Sequence, residues 1–365
     1  MDLHTAVSIS MLPVSRGRAA AVFKNLTREV PAPSLDDVLD ALRFARDGCA
    51  GIKATAQAAA DVALAAGAAG DMTPIAWFDD RYPSLLSCIA DPPPVLWVRG
   101  DVAMTARPAV AIVGSRAATP YALDVAGRLA AELADRGIVV ASGLARGVDS
   151  AAHRGCLDAG GPTVAVLGSG LDRIYPAEHK PLAETIRRHG AVMSELGPGG
   201  PPLAEHFPLR NRIISGISLA VVVVEASENS GSLITARCAL EHGRDVMAVP
   251  GSVLTGRNRG SHGLLKDGAK VVETADDILE ELGWQVGRVA GPPAAAPSVP
   301  SKSPKADPLL ARMEPGEAYR LDELVGATGI GASRLLPRLM ELELMGQIAP
   351  AGGGRFTRTV ISSSR

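Results

Sequence analysis

The sequence predicts an α/β protein. Its centre is a Rossmann-like, doubly wound and mostly parallel sheet, preceded by a small helical domain and followed by a winged-helix-like one. Three observations carry this. From about residue 108, short β-branched runs alternate with amphipathic stretches of helical period. Those runs are apolar throughout rather than alternating, as strands covered on both faces are. A segment rich in Pro, Ala and Ser at 286–305, with three basic residues and no acid, then separates this region from the last sixty residues. That is the composition of a solvated linker.

Residues 1–70 read as short helices. Ser34 is placed to cap a helix carrying Leu35, Val38, Leu39, Leu42 and Phe44, and the alanine-rich stretch 54–66 reads as a second helix. A connecting segment follows, stiffened by Tyr82-Pro83 and by Asp91-Pro92-Pro93-Pro94, which cannot be helical. The expected strands are Ala109–Val113, Ile138–Ala141, Thr163–Leu167, Leu219–Val224, Asp245–Val249 and Lys270–Val272. Helices lie between them, such as Ala122–Asp135 with its Ala, Leu and Val face. Beyond the linker, Leu321–Val325 and Ser333–Leu344 read as helices, and Gly346–Ile348 with Arg355–Thr357 as a small hairpin. Helix, helix, hairpin is the order of a winged helix. The expected domains are therefore 1–70, 71–285 and 306–365, with 286–305 as linker.

Composition narrows the function. The chain has 365 residues, more than one core usually serves. Hydrophobic residues make up 47%, and the mean hydropathy of +0.15 excludes a disordered chain. Five Phe, four Tyr and three Trp are too few to pave a sheet with stacking rings. Lys and Arg number 37 against 39 Asp and Glu, a net charge of -2. A wholly basic nucleic-acid binder is excluded, but a local basic groove is not. The tail 306–365 carries seven basic and seven acidic residues, so it has little long-range pull on DNA.

Cys49, Cys88, Cys156 and Cys238 are isolated, which fits reduced thiols rather than a metal site or disulfide framework. The N-terminus lacks a basic-then-apolar signal, and the apolar run near Leu219–Val224 is too short to span a bilayer. A soluble cytoplasmic protein without membrane contact, metal or cofactor is expected.

In a parallel sheet, the loops leaving the strand C-termini gather at one edge, where helix N-termini point N–H groups outward. Here those loops are Gly114-Ser115-Arg116, the segment Ser142–Asp149, Gly168-Ser169-Gly170, the segment Glu225–Thr235, and Pro250-Gly251-Ser252. Small residues admit a ligand to the backbone, hydroxyls add donors, and arginines add bidentate phosphate contacts. The five loops read together as an anion-binding rim.

Neither GxGxxG after the first strand of the alternation nor GxxxxGK[ST] is present, so dinucleotide and ATP chemistry lose their usual support. In Phe207–Gly216, Arg210 reads as a rim residue with Asn211 capping or donating beside it. Arg212 reads as a rim residue or as one half of a buried ion pair with Glu195 or Glu225. Arg257, Arg259 and Lys266 form a second basic cluster. His153, at helical spacing from Asp149, suggests local hydrogen bonding. Glu225 and Glu228 border the rim, so hydrolysis stays open.

Several segments resemble the DNA-processing protein A family (DprA, also called Smf). They are YPSLLSCIADPPPVLWVRGD (82–101), AIVGSRAATPYA (111–122), SGLARGVDSAAH (142–153), FPLRNRIISGIS (207–218), ENSGSLITARCAL (228–240) and AVPGS (248–252). They span about residues 75–285. Leu12–Gly17 resembles a degraded helix-hairpin-helix turn. The resemblance implies a non-catalytic protein that binds single-stranded DNA during natural transformation, protects it and loads RecA onto it, acting as a homodimer. Carried over residue by residue, it assigns DNA contacts to Gly114, Ser115 and Arg116, and to Ser142, Gly143, Arg146 and Gly147. It adds Arg210, Asn211 and Arg212, and then Ser230, Gly231, Ser232 and Thr235.

The alternative is an enzyme. The sheet and its rim also resemble nucleotide phosphoribohydrolases of the lysine-decarboxylase-like group, with their signature PGGxGTxxE. With Thr235 aligned to that threonine, Ala236, Arg237 and Cys238 stand where the acid should follow, which argues for phosphate binding over hydrolysis.

Overall fold

A computed structural model describes residues 2–14, 22, 33–43 and 46–284, and 309–359 except 315–316, 329, 332–334, 336–337, 340, 344–346 and 352–354. Two compact units divide the chain at Val286–Gly287.

Among its described residues the first unit opens with the helices α1 (Leu3–Ser10), α2 (Leu35–Ala41) and α3 (Arg46–Ala69). Ser34 caps α2 reciprocally with Asp37, and Leu35, Val38, Leu39 and Leu42 are buried as expected. Next come β1 (Thr73–Ala76), the short α4 (Ser84–Ser87) and β2 (Val95–Gly100). From β3 (Ala109–Val113), strands and helices alternate through α5 (Pro120–Asp135), β4 (Val139–Ser142), α6 (Val148–Asp158) and β5 (Thr163–Leu167). The series continues with α7 (Lys180–His189), β6 (Ala191–Ser194), α8 (His206–Gly216), β7 (Ala220–Val223) and α9 (Ser232–Glu241). It closes with β8 (Asp245–Ala248), α10 (Arg259–Lys266), β9 (Lys270–Val271) and α11 (Ala275–Glu281).

The nine strands form one sheet in the order β1-β2-β6-β5-β4-β3-β7-β8-β9. All neighbours from β6 to β9 are parallel, while β2 runs antiparallel to β6 and β1 antiparallel to β2. One face is covered by Ile213, Ile214 and Ile217 with Ala236 and Ala239, packed on Val113, Val139, Val166 and Val223. The other is covered by Val125, Leu129 and Leu133 of α5, Cys156 of α6 and Ile278 of α11, packed on Val110, Ile112, Val140 and Val222. Successive strand residues face opposite ways. Both sides bury apolar groups, which is why the strands read as unbroken apolar runs.

The expected strands all form, but β1, β2 and β6 were not anticipated. The first two lie in the segment read as a connection; β6 is only four residues long. Their identity as strands comes from cross-strand pairing more than from local propensity. The helix expected at 54–66 runs over the longer Arg46–Ala69. Phe44, residues 15–17 and the linker 286–305 lie outside the described residues.

His153 on α6 is fully buried. Thr163 spends its hydroxyl proton on the Val140 carbonyl (2.6 Å), so His153 Nδ1 donates to Thr163 Oγ1 (2.7 Å) and not to Asp149. Burial, helped by Arg210, pushes the imidazole down from 6.5 to about 3. Below pH 6.5 the unfolded chain takes up a proton that the folded chain refuses, so stability falls with pH until about 3. At pH 5 this costs about 2 kcal/mol. Urea midpoints followed by Trp fluorescence at pH 7 and pH 5 measure it. His153→Gln should flatten that part of the pH dependence, and an unchanged slope would refute the assignment.

The second unit contains β10 (Ala318–Arg320), α12 (Leu321–Thr328), β11 (Ile348–Pro350) and β12 (Arg355–Arg358). Its antiparallel sheet has the order β10-β12-β11, so the expected hairpin gains a third strand. Leu309, Met313, Leu324, Leu335, Leu339, Leu342 and Ile348 form its core. Residues 333–334, the expected start of the second helix, lie outside the described residues.

Candidate nucleic-acid interface

The sheet order changes direction at β3: β4, β5 and β6 lie on one side, β7, β8 and β9 on the other. Loops leaving β3 and β7 diverge there and open a crevice beyond the strand C-termini. A cavity of about 400 Å³ fills it. Gly114, Ser115, Arg116, Arg210, Asn211, Ser230, Gly231, Ser232 and Thr235 line this cavity. Gly143 and Arg146 line an adjoining recess together with Arg116, Arg210, Tyr175 and Phe207. Arg116, Arg146 and Arg210 therefore share one margin of the sheet.

Backbone geometry brings the loops together. Ser115 N–H donates to the Glu225 carbonyl (2.7 Å), and Val148 N–H donates to the Ser115 carbonyl (3.2 Å). Gly147, at the N-cap of α6, has a φ of 74°. A Cβ there would overlap the Ser115 carbonyl, so only glycine permits this approach. Asp149 shapes the same loop by accepting N–H groups from Gly143 (3.1 Å) and Ala145 (3.3 Å). Burial raises its carboxyl above the ordinary value, opposed by the Arg210 charge and by those N–H groups.

Arg210 is 7% exposed. Its Nη1 donates to the carbonyls of Gly143 and Val166, and its Nε to Asn211 Oδ1 (3.1 Å). Burial draws the guanidinium down to about 10, so it stays charged at neutral pH. Two cations lie over the Phe207 ring, Arg116 Cζ 5.6 Å and Arg210 Cζ 5.9 Å from its centroid. Arg116 is exposed and has no ion-pair partner among the described residues. Arg146 pairs with Glu178 at 2.5 Å across an exposed bridge, a kind of pair that contributes little. At the far wall, α9 starts after Gly231, which has no side chain to cap it; the Ser230 hydroxyl accepts the Ser232 N–H (3.4 Å), and the positive end of the helix faces the crevice. Asn211 Nδ2 donates to the Gly231 carbonyl (3.4 Å), and the Ser230 and Ser232 hydroxyls bond each other (2.8 Å).

Three residues carried over as DNA contacts, Gly147 at the N-cap of α6, Ser142 and Arg212, line neither recess. Ser142 is fully buried and donates to the Ile112 carbonyl (2.7 Å). Arg212 pairs with Glu195 (2.7 Å), as one option from the sequence had it, and with Asp91 (3.0 Å). Two positions along a helix turn the side chain by about 200°, so Arg210 and Arg212 leave α8 on opposite sides.

The acids fall elsewhere too. Glu225 is buried and accepts from the Thr119 hydroxyl (2.6 Å) at the start of α5, and Glu228 is exposed near Arg259 (3.8 Å). Neither lines the cavity, where the carboxylate present is Asp149. In the second basic cluster, Arg257 donates to the Ala117 carbonyl (2.8 Å), while Arg259 and Lys266 line a separate recess.

Sequence reasoning placed Asp149 in a rim loop, but nominated neither it nor Phe207 nor Tyr175 as a contact. The two rings pack with centroids 5.3 Å apart, and Tyr175 is 44% exposed. Phe207 opens the arginine-bearing segment, which was its available signal. Nothing local marks Tyr175, thirty-two positions away.

The family model for DNA recombination-mediator protein A matches residues 73–283. The chain belongs to this family. A second model, the DprA winged helix domain, matches residues 292–354, so its match begins inside the segment expected as linker. Protein Smf of Escherichia coli (strain K12) is 42% identical over 278 residues, covering 75% of this chain and 74% of that protein. The DNA processing protein DprA of Streptococcus pneumoniae is 46% identical over 204 residues, 56% of this chain and 72% of that protein. The X-ray structure of the S. pneumoniae DprA superposes with a TM-score of 0.69 at 36% identity, covering 77% of this chain and 98% of that one. A DprA structure from Helicobacter pylori, described for its single-stranded DNA binding mode, has a TM-score of 0.53 at 29% identity. It covers 58% of this chain and 95% of its own. The residues carried over as contacts, from Gly114 to Thr235, all fall inside the matched span.

Proposed function

We propose that this margin grips the sugar-phosphate backbone of single-stranded DNA without reading its sequence. The observation that carries it is the convergence of Arg116, Arg146 and Arg210 on one margin beside the open end of α9. Phosphates meet two guanidinium groups at the cavity, backbone N–H groups and hydroxyls, while the exposed Tyr175 ring offers a face for a base to stack on. The DNA-processing names of the relatives and the H. pylori DprA structure support the same substrate.

The role extends to protecting DNA taken up in transformation and loading RecA onto it, which the recombination-mediator description of the family supports. It is exercised in the cytoplasm, and no helix among the described residues is long and apolar enough to cross a membrane. Exposed Leu240 and Val271, the latter on edge strand β9, suit a homodimer. The role is non-catalytic: Asp149 is held by two backbone N–H groups, and Glu225 is tied to Thr119.

The test is a fluorescence-anisotropy titration of labelled oligo-dT at several salt concentrations. Arg116→Ala weakens binding about tenfold, the size of one charge-assisted contact. It also lowers the slope of log affinity against log salt by about one. An unchanged affinity and slope would take the margin off the DNA path.

A further inference from the structure

A rim that only steadies a passing strand needs little depth, yet the crevice holds a cavity of about 400 Å³, within the range of small-molecule sites. Thr235 stands in its wall, in the first turn of α9, and is 2% exposed. Its hydroxyl has no hydrogen-bond partner among the described residues. Among the described residues the other buried Ser and Thr hydroxyls are engaged, including Ser142, Thr163, Ser194, Ser218 and Ser261. The residue is buried and lines the cavity, so its hydroxyl is available to whatever enters there.

Two independent features point to its chemistry. Thr235 belongs to the helix whose N-terminal residues, Gly231, Ser232 and Ile234, line the cavity, so the positive end of its dipole faces a bound anion. Arg116 and Arg210 stand in the cavity wall against one carboxylate, Asp149, leaving an excess of positive charge. Val113, Phe207, Ile214 and Ile234 add apolar wall against which a sugar and base can pack. A terminal phosphomonoester carries close to two negative charges at neutral pH, whereas each internal phosphodiester carries one.

We propose that the cavity takes a terminal nucleotide through its phosphomonoester, on a DNA strand end or as a free nucleoside monophosphate, in preference to an internal phosphodiester. This deepens the single-strand reading, and rests on it for the strand-end source. Thr235 donates its hydroxyl to a phosphate oxygen, and the α9 N-terminus and Arg116 share the remaining charge.

The full-length chain is titrated with oligo-dT carrying a 5′-phosphate or a 5′-hydroxyl, the label being at the opposite end. A second pair varies the 3′ end in the same way. Competition with dTMP, thymidine and inorganic phosphate completes the set. The expected result is a preference of about tenfold for one phosphorylated end, or displacement by dTMP where thymidine fails. The first outcome names a strand end as the source and the second a free nucleotide.

Thr235→Val collapses the ratio of phosphorylated to hydroxyl-ended affinity to about one, while Thr235→Ser keeps it. Trp fluorescence confirms that each variant is folded. Equal affinity for both ends together with no displacement by dTMP overturns the proposal, as does a ratio that survives in Thr235→Val. If no oligo binds at low salt, the single-strand reading fails separately, and dTMP-induced thermal stabilisation still decides for or against the cavity.

Discussion

Replacing Arg212 by methionine lowers the stability of the first unit by about 3–5 kcal/mol, the cost of breaking a buried ion pair from one side. Its guanidinium, 7% exposed, lies between Glu195 (2.7 Å) and Asp91 (3.0 Å). Without it, Glu195 keeps a charge in a place where its side chain is only 12% exposed. Adding Glu195→Gln removes that stranded charge and returns part of the loss.

All three Trp residues, Trp77, Trp97 and Trp284, fall within the first unit, so urea unfolding followed by Trp fluorescence isolates the effect. Oligo-dT affinity measured well below the midpoint stays within a few-fold of the parent chain. If Arg212→Met instead keeps its midpoint and loses DNA binding, the ion-pair role is wrong and the carried-over DNA contact is right.

The two arginines of α8 mark the boundary of what the sequence could tell. Phe207–Gly216 is dense in functional residue types, and its two cations could be seen at once. Which one meets the crevice depends on the phase of the helix and on which acid waits on the other side. Glu195 was a foreseeable partner; Asp91, more than a hundred positions away in a proline-rich turn, was not.

The same division runs through the sheet. β3 and β5 carry complete apolar runs that signal two-sided burial by themselves, and both form with the expected limits. β2 and β6 are strands because Trp97 pairs with Ser194 and Val98 with Met193, contacts nearly a hundred residues apart. At the site, the glycines and hydroxyls advertised a phosphate rim. Tyr175 became part of it only because the loop after β5 folds back onto Phe207.

Replacing Arg210 by methionine weakens binding of oligo-dT by about a hundredfold, more than the exposed Arg116→Ala does. A buried cation works harder than a solvated one, because its field is screened less and its position is already fixed. Arg210 is held by the carbonyls of Gly143 and Val166 and by Asn211, so little conformational freedom remains to be lost when a phosphate arrives.

Its removal also leaves those two carbonyls without their donor, at about 1–3 kcal/mol for each group left unsatisfied, and takes a cation from Phe207. Stability should therefore fall together with affinity. Arg210→Lys separates the two roles. The ammonium restores the charge but not the planar fork that reaches the carbonyls and Asn211 at once. Its affinity should lie between those of Arg210→Met and the parent chain, with a salt slope close to the parent's. An Arg210→Met protein that is folded by Trp fluorescence and binds oligo-dT like the parent would show that the strand never meets this wall of the crevice.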